Sequence, residues 1–336
     1  MKLYFAVDDA LAVVTVDGGE VRLDLALKGN HIGCVAVDPL APQLVYCGTF
    51  GAGLWRSEDS GVNWQRVGKG IRHDKVQSVA VSRVERVSGR GVVYAGTEPS
   101  AVFRSEDAGE TWRERGELAM LKSSSEWSFP PRPETHHVRW IEPDRHVAGR
   151  LFVAIEAGAL IRSEDAGATW RDRTADGPRD THQLWIHAMA PGRLYSAAGD
   201  GYFESRDAGE SWQKFGKGLR HGYVWSVAVD AGDPDNILLS SAASPRHSHY
   251  EPAESHLYRR VAGSDWEELR EGLPNGGGRH TAVLGAHPEK AGTFFAAWEN
   301  DVFRSIDGGA SWCSLGLSWP RDCRINEICE LAVAEG

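Results

Sequence analysis

One short pattern, Ser-x-Asp-x-Gly-x-x-Trp, returns five times along this chain and constrains its fold more than any other feature. The copies are Ser57-Asp59-Gly61-Trp64, Ser105-Asp107-Gly109-Trp112, Ser163-Asp165-Gly167-Trp170, Ser205-Asp207-Gly209-Trp212 and Ser305-Asp307-Gly309-Trp312. A worn sixth copy, LYRRVAGSDW, keeps Gly263 and Trp266, and a fainter seventh, AVVTVDGGEV, keeps Gly18. A pattern that recurs tens of residues apart marks stacked units, each too small to bury its own apolar face. β-rich runs such as LVYCGTFGAGLWRS precede the copies, and short strands such as WQRV follow them. In such a hairpin, Ser and Asp hold a tight turn by bonding local backbone. Gly supplies positive φ, and Trp gives a large plate that fills space between neighbouring sheets. The copies therefore define the fold and carry no chemistry.

A second recurring segment fixes the number of units. It reads HIGCVAVDP (31–39), KVQSVAVS (75–82), HHVRWIEP (136–143), HQLWIHAMAP (182–191), YVWSVAVDA (223–231), HTAVLGAHP (280–288) and INEICELAVA (325–334). Seven inner strands over 336 residues give about 48 residues per unit, a propeller-like period. The expectation is an all-β chain, 1–336, forming a single seven-bladed β-propeller with four-stranded antiparallel blades. The last inner strand follows the last turn pattern, so 325–334 should share one blade with the N-terminal segment 3–25. Such a closure removes free sheet edges.

Composition narrows the functional classes. A net charge of −10 argues against a general nucleic-acid binder, which needs a basic face. No run approaches 18 apolar residues, so no membrane partner is expected. Asp8 and Asp9 interrupt the N-terminus before an apolar region forms, unlike a signal peptide. Five cysteines without a CxxC pair suit reduced thiols in the cytoplasm.

The repeated pattern resembles the Asp-box, or bacterial neuraminidase repeat, of a family of β-propellers, and the resemblance runs along nearly the whole chain. Sialidases of that family have six blades and an early Arg-Ile-Pro motif. This chain counts seven blades, and its early Arg22 is not followed by Ile-Pro. It is thus unlike a true sialidase and more similar to soluble bacterial seven-bladed members labelled as glycosyl hydrolases, or to the photosystem II assembly factor, a binding platform. The resemblance implies that the loops leading into the inner strands, and those joining the second and third strands, share one face, called the top.

The first loop set is rich in His and Arg, the second in carboxylates, including Asp200, Glu299 and Asp301. One blade inserts SSAASPRHSHYEPAESH, with His247, His249, Tyr250 and Glu251. A His- and Arg-lined central funnel ringed by acids can hold an anionic or polyhydroxylated small molecule, bind a metal, or run acid–base chemistry. The catalytic candidates are His31, Glu98, His280 and Glu327. The ligand-binding candidates are Arg72, Lys75, His137, Arg139, Trp185, Tyr223, Trp225 and Arg279. The cofactor is left open; His31, His280 and Glu327, which flank one another around the closing blade, are the candidate ligands should a divalent metal bind. Gly33, Gln77, His137, Trp185, Trp225, Ala282 and Cys329 fall in one layer of the inner strands, and a register slip of one residue would turn the other faces inward. Two functions fit: a hydrolase- or lyase-like protein acting on a small molecule, or a non-catalytic platform for a protein partner.

Overall fold

The computed structural model describes residues 1–7, 9–320 and 328–335. Among them, seven antiparallel sheets form, six of four strands and one of three. The inner strands are Ile32–Val37, Lys75–Val87, Val138–Pro143, Thr181–Ile186, Tyr223–Val229, Val283–Ala286 and Ile328–Ala334. Blades are numbered one to seven in that order. Each inner strand touches the next and the seventh touches the first, so the blades form a closed seven-bladed propeller. In blade three, a lone pairing of Arg162 with Arg171 takes the place of a fourth strand.

Burial explains the sequences of the strands. The second strands, such as Val45–Thr49, Leu151–Ile155 and Phe294–Trp298, are buried along their whole length. Each lies in a sheet covered on both faces by neighbouring blades, so its sequence is apolar or small without alternation. The outermost strands, such as Gln213–Lys214 and Glu267–Glu268, are exposed and polar. Tyr4, Tyr46, Tyr94, Tyr195, Tyr202 and Tyr258 are buried plates in the packed blades.

The repeated turns share one hydrogen-bond pattern. Ser57 Oγ donates to Asp59 Oδ1 at 2.8 Å and accepts from the Gly61 N–H at 2.8 Å, while Asn63 N donates to Asp59 Oδ1 at 2.8 Å. Trp64 Nε1 donates to the Gly61 carbonyl at 3.0 Å. Ser105, Ser163, Ser205 and Ser305 make the same bonds to their own Asp and Gly. Gly61 has φ +89°, and a Cβ there would meet the Tyr4 ring of the next blade at 3.1 Å, so glycine is required twice over. Adjacent turns are stitched by Arg56, which donates to the Ala108 carbonyl at 2.7 Å, and by Arg162, which donates to the Ala208 carbonyl at 3.0 Å.

The ring closes as the turn order requires. Ile328–Ala334 pairs antiparallel with Lys2–Val7, from Lys2 opposite Ala334 to Val7 opposite Ile328. Residues 325–327 of the expected strand lie outside the described residues.

A β-bulge recurs at one level in six of the seven inner strands. The unpaired residues are Gly33, Gln77, Arg139, His182, Trp225 and Cys329. A bulge inserts one residue and re-aims the side chain it carries. This corrects the layer expected from strand counting. Blades one, two, five and seven keep the expected residue, but Arg139 replaces His137 in blade three and His182 replaces Trp185 in blade four. Trp185 sits deeper and lines the lower part of the central channel.

Candidate functional site

The inner strands begin at the top of the channel, and a dense ionic cluster occupies that mouth on the side of blades two to five. Glu98, with 2% of its side chain exposed, accepts from Lys75 Nζ at 2.9 Å and from Arg132 at 2.6 and 3.2 Å. Both cations lie over the Phe50 ring, Lys75 at 4.5 Å and Arg132 at 4.9 Å. Burial opposes ionisation of Glu98, but the bonds from Arg132 and Lys75 overcome it and hold the carboxyl below its usual range. Next to it, His137 Nε2 lies 2.8 Å from Glu156 Oε2. Burial again acts against the charge, yet the His137 bond, with His182 and Arg139 nearby, holds Glu156 at about 2.

Arg139 is placed by its bulge. Its guanidinium covers the Trp225 ring at 5.0 Å and donates at 3.4 Å to the carbonyl of Cys329 in blade seven. Its contact with Glu156 is long, 3.7 Å, and that carboxylate is already taken by His137. Arg139 therefore spans from blade three to blades five and seven with most of its five N–H donors uncommitted.

Beside it lie His182, Tyr223, Trp225 and His249, whose rings pack at centroid distances of 4.4–6.5 Å. His182 Nδ1 is 2.8 Å from the Val224 carbonyl and Nε2 is 3.6 Å from Asp180. The ligand atoms of Glu156, Asp180 and His182 all lie within 4.8 Å of one another, a spacing that suits a divalent cation.

The remaining predicted residues do not join this cluster. Arg72 turns to Glu114 on the outermost strand of blade two, 2.7 Å away. Arg279 donates to the Asn275 carbonyl at 3.0 Å. His31 is exposed, and its carbonyl accepts from Phe50 N. His280 Nδ1 stands 3.5 Å from Glu299, whose carboxylate also accepts from the His280 backbone N–H at 2.7 Å. Among the described residues, the groups with metal-ligand spacing are others, and Glu327 lies outside them.

Below the mouth the channel widens into a cavity of about 200 Å³ lined by all seven inner strands. Its walls are largely apolar, including Val35, Val79, Trp140, Trp185 and Leu331, but Arg83, Glu142, Arg145, His187 and Glu330 are set among them. Burial pushes Glu142 up to about 7 against the opposing influence of Arg145, and pushes Glu330 up to about 8 against that of Arg139. Burial pulls Arg83 down to about 10. The carboxyls that hold protons near neutrality thus lie inside the channel, and those at the mouth are ionised.

Sequence reasoning marks His182 only as part of a His-bearing loop leading into an inner strand, and it does not single out Arg132, Glu142 and Glu330. A signal existed for the last two: each is an acid inside a segment otherwise read as a buried strand, WIEP and EICELAVA. Arg132 sits in a loop far longer than its equivalents, and nothing local marks it.

No family model matches the chain. Solved structures with the same fold include an ancestral GH74 enzyme, with a TM-score of 0.63 and 13% identity over 90% of this chain and 38% of that one. They also include YCF48 from Cyanidioschyzon merolae, at 0.57 and 12% over 85% of both chains, and YCF48 bound to a D1 peptide, at 0.58 and 16% over 85% and 82%. At such identities the likeness shows the fold alone. In sequence, 97 residues are 36% identical to vacuolar protein sorting/targeting protein 10 of Colletotrichum graminicola, covering 27% of this chain and 6% of that protein.

Proposed function

We propose that this chain binds a carboxylate-bearing small molecule at the top mouth of its channel and does not hydrolyse it. The observation that carries this reading is Arg139: a guanidinium over the Trp225 face, spanning the channel, with one weak hydrogen bond and one long ion pair. A planar carboxylate is the partner that uses such a fork bidentately. The surroundings agree. Lys75, Arg132 and Arg139 stand among the carboxylates Glu98, Glu156 and Asp180, and of the three cations Arg139 is the one without a close carboxylate partner. Trp225, buried against His182 and His249, backs the Arg139 guanidinium and holds it in place. Acid catalysis of glycoside cleavage needs a carboxyl that keeps its proton near neutrality. Glu98 and Glu156 are held in the opposite state. The shared Ser–Asp–Gly turn bonds support counting the chain among Asp-box propellers.

The test is titration calorimetry with a panel of mono- and dicarboxylates and uronic acids against the matching neutral sugars. Anions alone should bind, and Arg139→Ala should weaken binding at least about tenfold, the loss of one charged hydrogen-bonded contact, with an unchanged melting temperature. Equal binding of neutral sugars, or full binding by the variant, would sink the reading. The fold shared with YCF48, solved with a D1 peptide, supports a second reading in which the carboxylate is the C-terminus of a peptide. A peptide that binds with a free C-terminus and fails when amidated separates the two.

A further inference from the structure

We infer a second ligand site on the top rim of blade five: His221, Glu254 and His256 form a three-ligand site for a zinc-class divalent cation. His221 lies in the loop leading into the inner strand, Glu254 immediately precedes the third strand of the same blade, Ser255–Arg260, and His256 is its second residue. Their ligand atoms all lie within 4.8 Å of one another. His256 Nε2 is 3.0 Å from Glu254 Oε1, and His221 Nε2 is 4.0 Å from the same oxygen. Ligands about 2.1 Å from a tetrahedral zinc stand about 3.4 Å apart, so these separations bracket the required one.

Three features point to a cation and not to ordinary packing. First, His221 Nε2 is buried without a hydrogen-bond partner, and a buried polar atom left so is costly. Second, His256 Nδ1 is 2.7 Å from Glu268 Oε1, the carboxylate–histidine arrangement that fixes an imidazole so that Nε2 presents its lone pair to a metal. Third, His256 Nε2 and Glu254 Oε1 stand 3.0 Å apart, close enough for one cation to take both as ligands in place of a proton shared between them. Arg220 Nη1 also reaches Glu254 Oε1 at 3.3 Å, but its side chain is 63% exposed and free to swing into solvent. His256, Glu268 and Arg220 border a polar cavity of about 430 Å³, so the His256 side of the site is open to a small solute. The site is separate from the Glu156–Asp180–His182 group at the channel mouth, which has the same ligand spacing.

The experiment is titration of the metal-stripped protein with Zn²⁺, and with Co²⁺ as a spectroscopic probe, read by calorimetry and visible absorption. One ion per chain with intense tetrahedral cobalt bands is expected. His256→Ala and His221→Ala should each lose binding at least about 100-fold. Glu268→Gln, which keeps the ligands but weakens the His256 brace, should cost about 10- to 100-fold. His182→Ala should leave the rim ion in place. Circular dichroism of the stripped variants reports folding, and His221→Ala, a loop substitution, keeps the test open if His256→Ala fails to fold. Absence of stoichiometric binding to the wild type would overturn the inference. So would undiminished binding by His221→Ala, or loss of the ion in His182→Ala alone.

Discussion

Glu330 shows how one residue's surroundings set its chemistry. Its neighbours in the strand, Leu331 and Val333, are apolar, and its carboxyl sits inside the channel, pushed up to about 8 by burial. A carboxyl that holds its proton more tightly when folded binds more protons in the native state between its unfolded value, near 4.3, and its folded one. Over that window stability falls as pH rises, by at most about 1.4 kcal/mol per pH unit for one group. Glu330→Gln removes the penalty without changing shape. The stability advantage of the variant over the wild type should be small at pH 5 and grow steadily to pH 8.5 in urea unfolding. A constant difference between the two at both pH values would show that Glu330 ionises freely in the folded protein. Arg139 makes the complementary point, because its placement follows from an unpaired bulge residue and its free donors from neighbours committed elsewhere.

At the scale of the element, the repeated turn is the part of this protein most legible in its sequence. Ser, Asp, Gly and Trp act on one another within eight residues, so the bonds that stabilise the turn are encoded where they form. Ser57→Ala leaves the buried Gly61 N–H without its acceptor, which should cost about 1–3 kcal/mol. Ser205→Ala, three blades away, should cost a similar amount, and the two losses should add because those turns share no partner. Urea midpoints of the single and double variants measure this, and an undisturbed midpoint would make the Ser dispensable. The inner strands are a different case. Their existence was legible, but the bulge in six of the seven was not, because a one-residue insertion leaves no mark in an apolar run. The bulge puts Arg139 and His182, in place of the expected His137 and Trp185, in the layer of unpaired residues.

Over the whole molecule, closure is the decisive contact. Ile328–Ala334 supplies the inner strand of the blade to which Lys2–Ala26 contributes the other three, so residues from both ends of the chain complete one sheet. A chain ending after 327 would uncover the edge of Lys2–Val7 and the apolar cluster around Leu3, Phe5 and Leu331. It should aggregate with rising concentration and lose its cooperative melting transition. If it instead melted as the full chain does, the closure would carry no stability. The sequence by itself determined the number of blades, the turns and the closing order, because those depend on contacts within one repeat or on the order of repeats. The tertiary structure alone decided the site. Arg139 meets a carbonyl 190 residues away, and Glu98 meets Arg132 from a loop between blades. Such meetings depend on the ring bringing seven strands to one axis, and on a register in which one residue's shift turns every side chain to the other face.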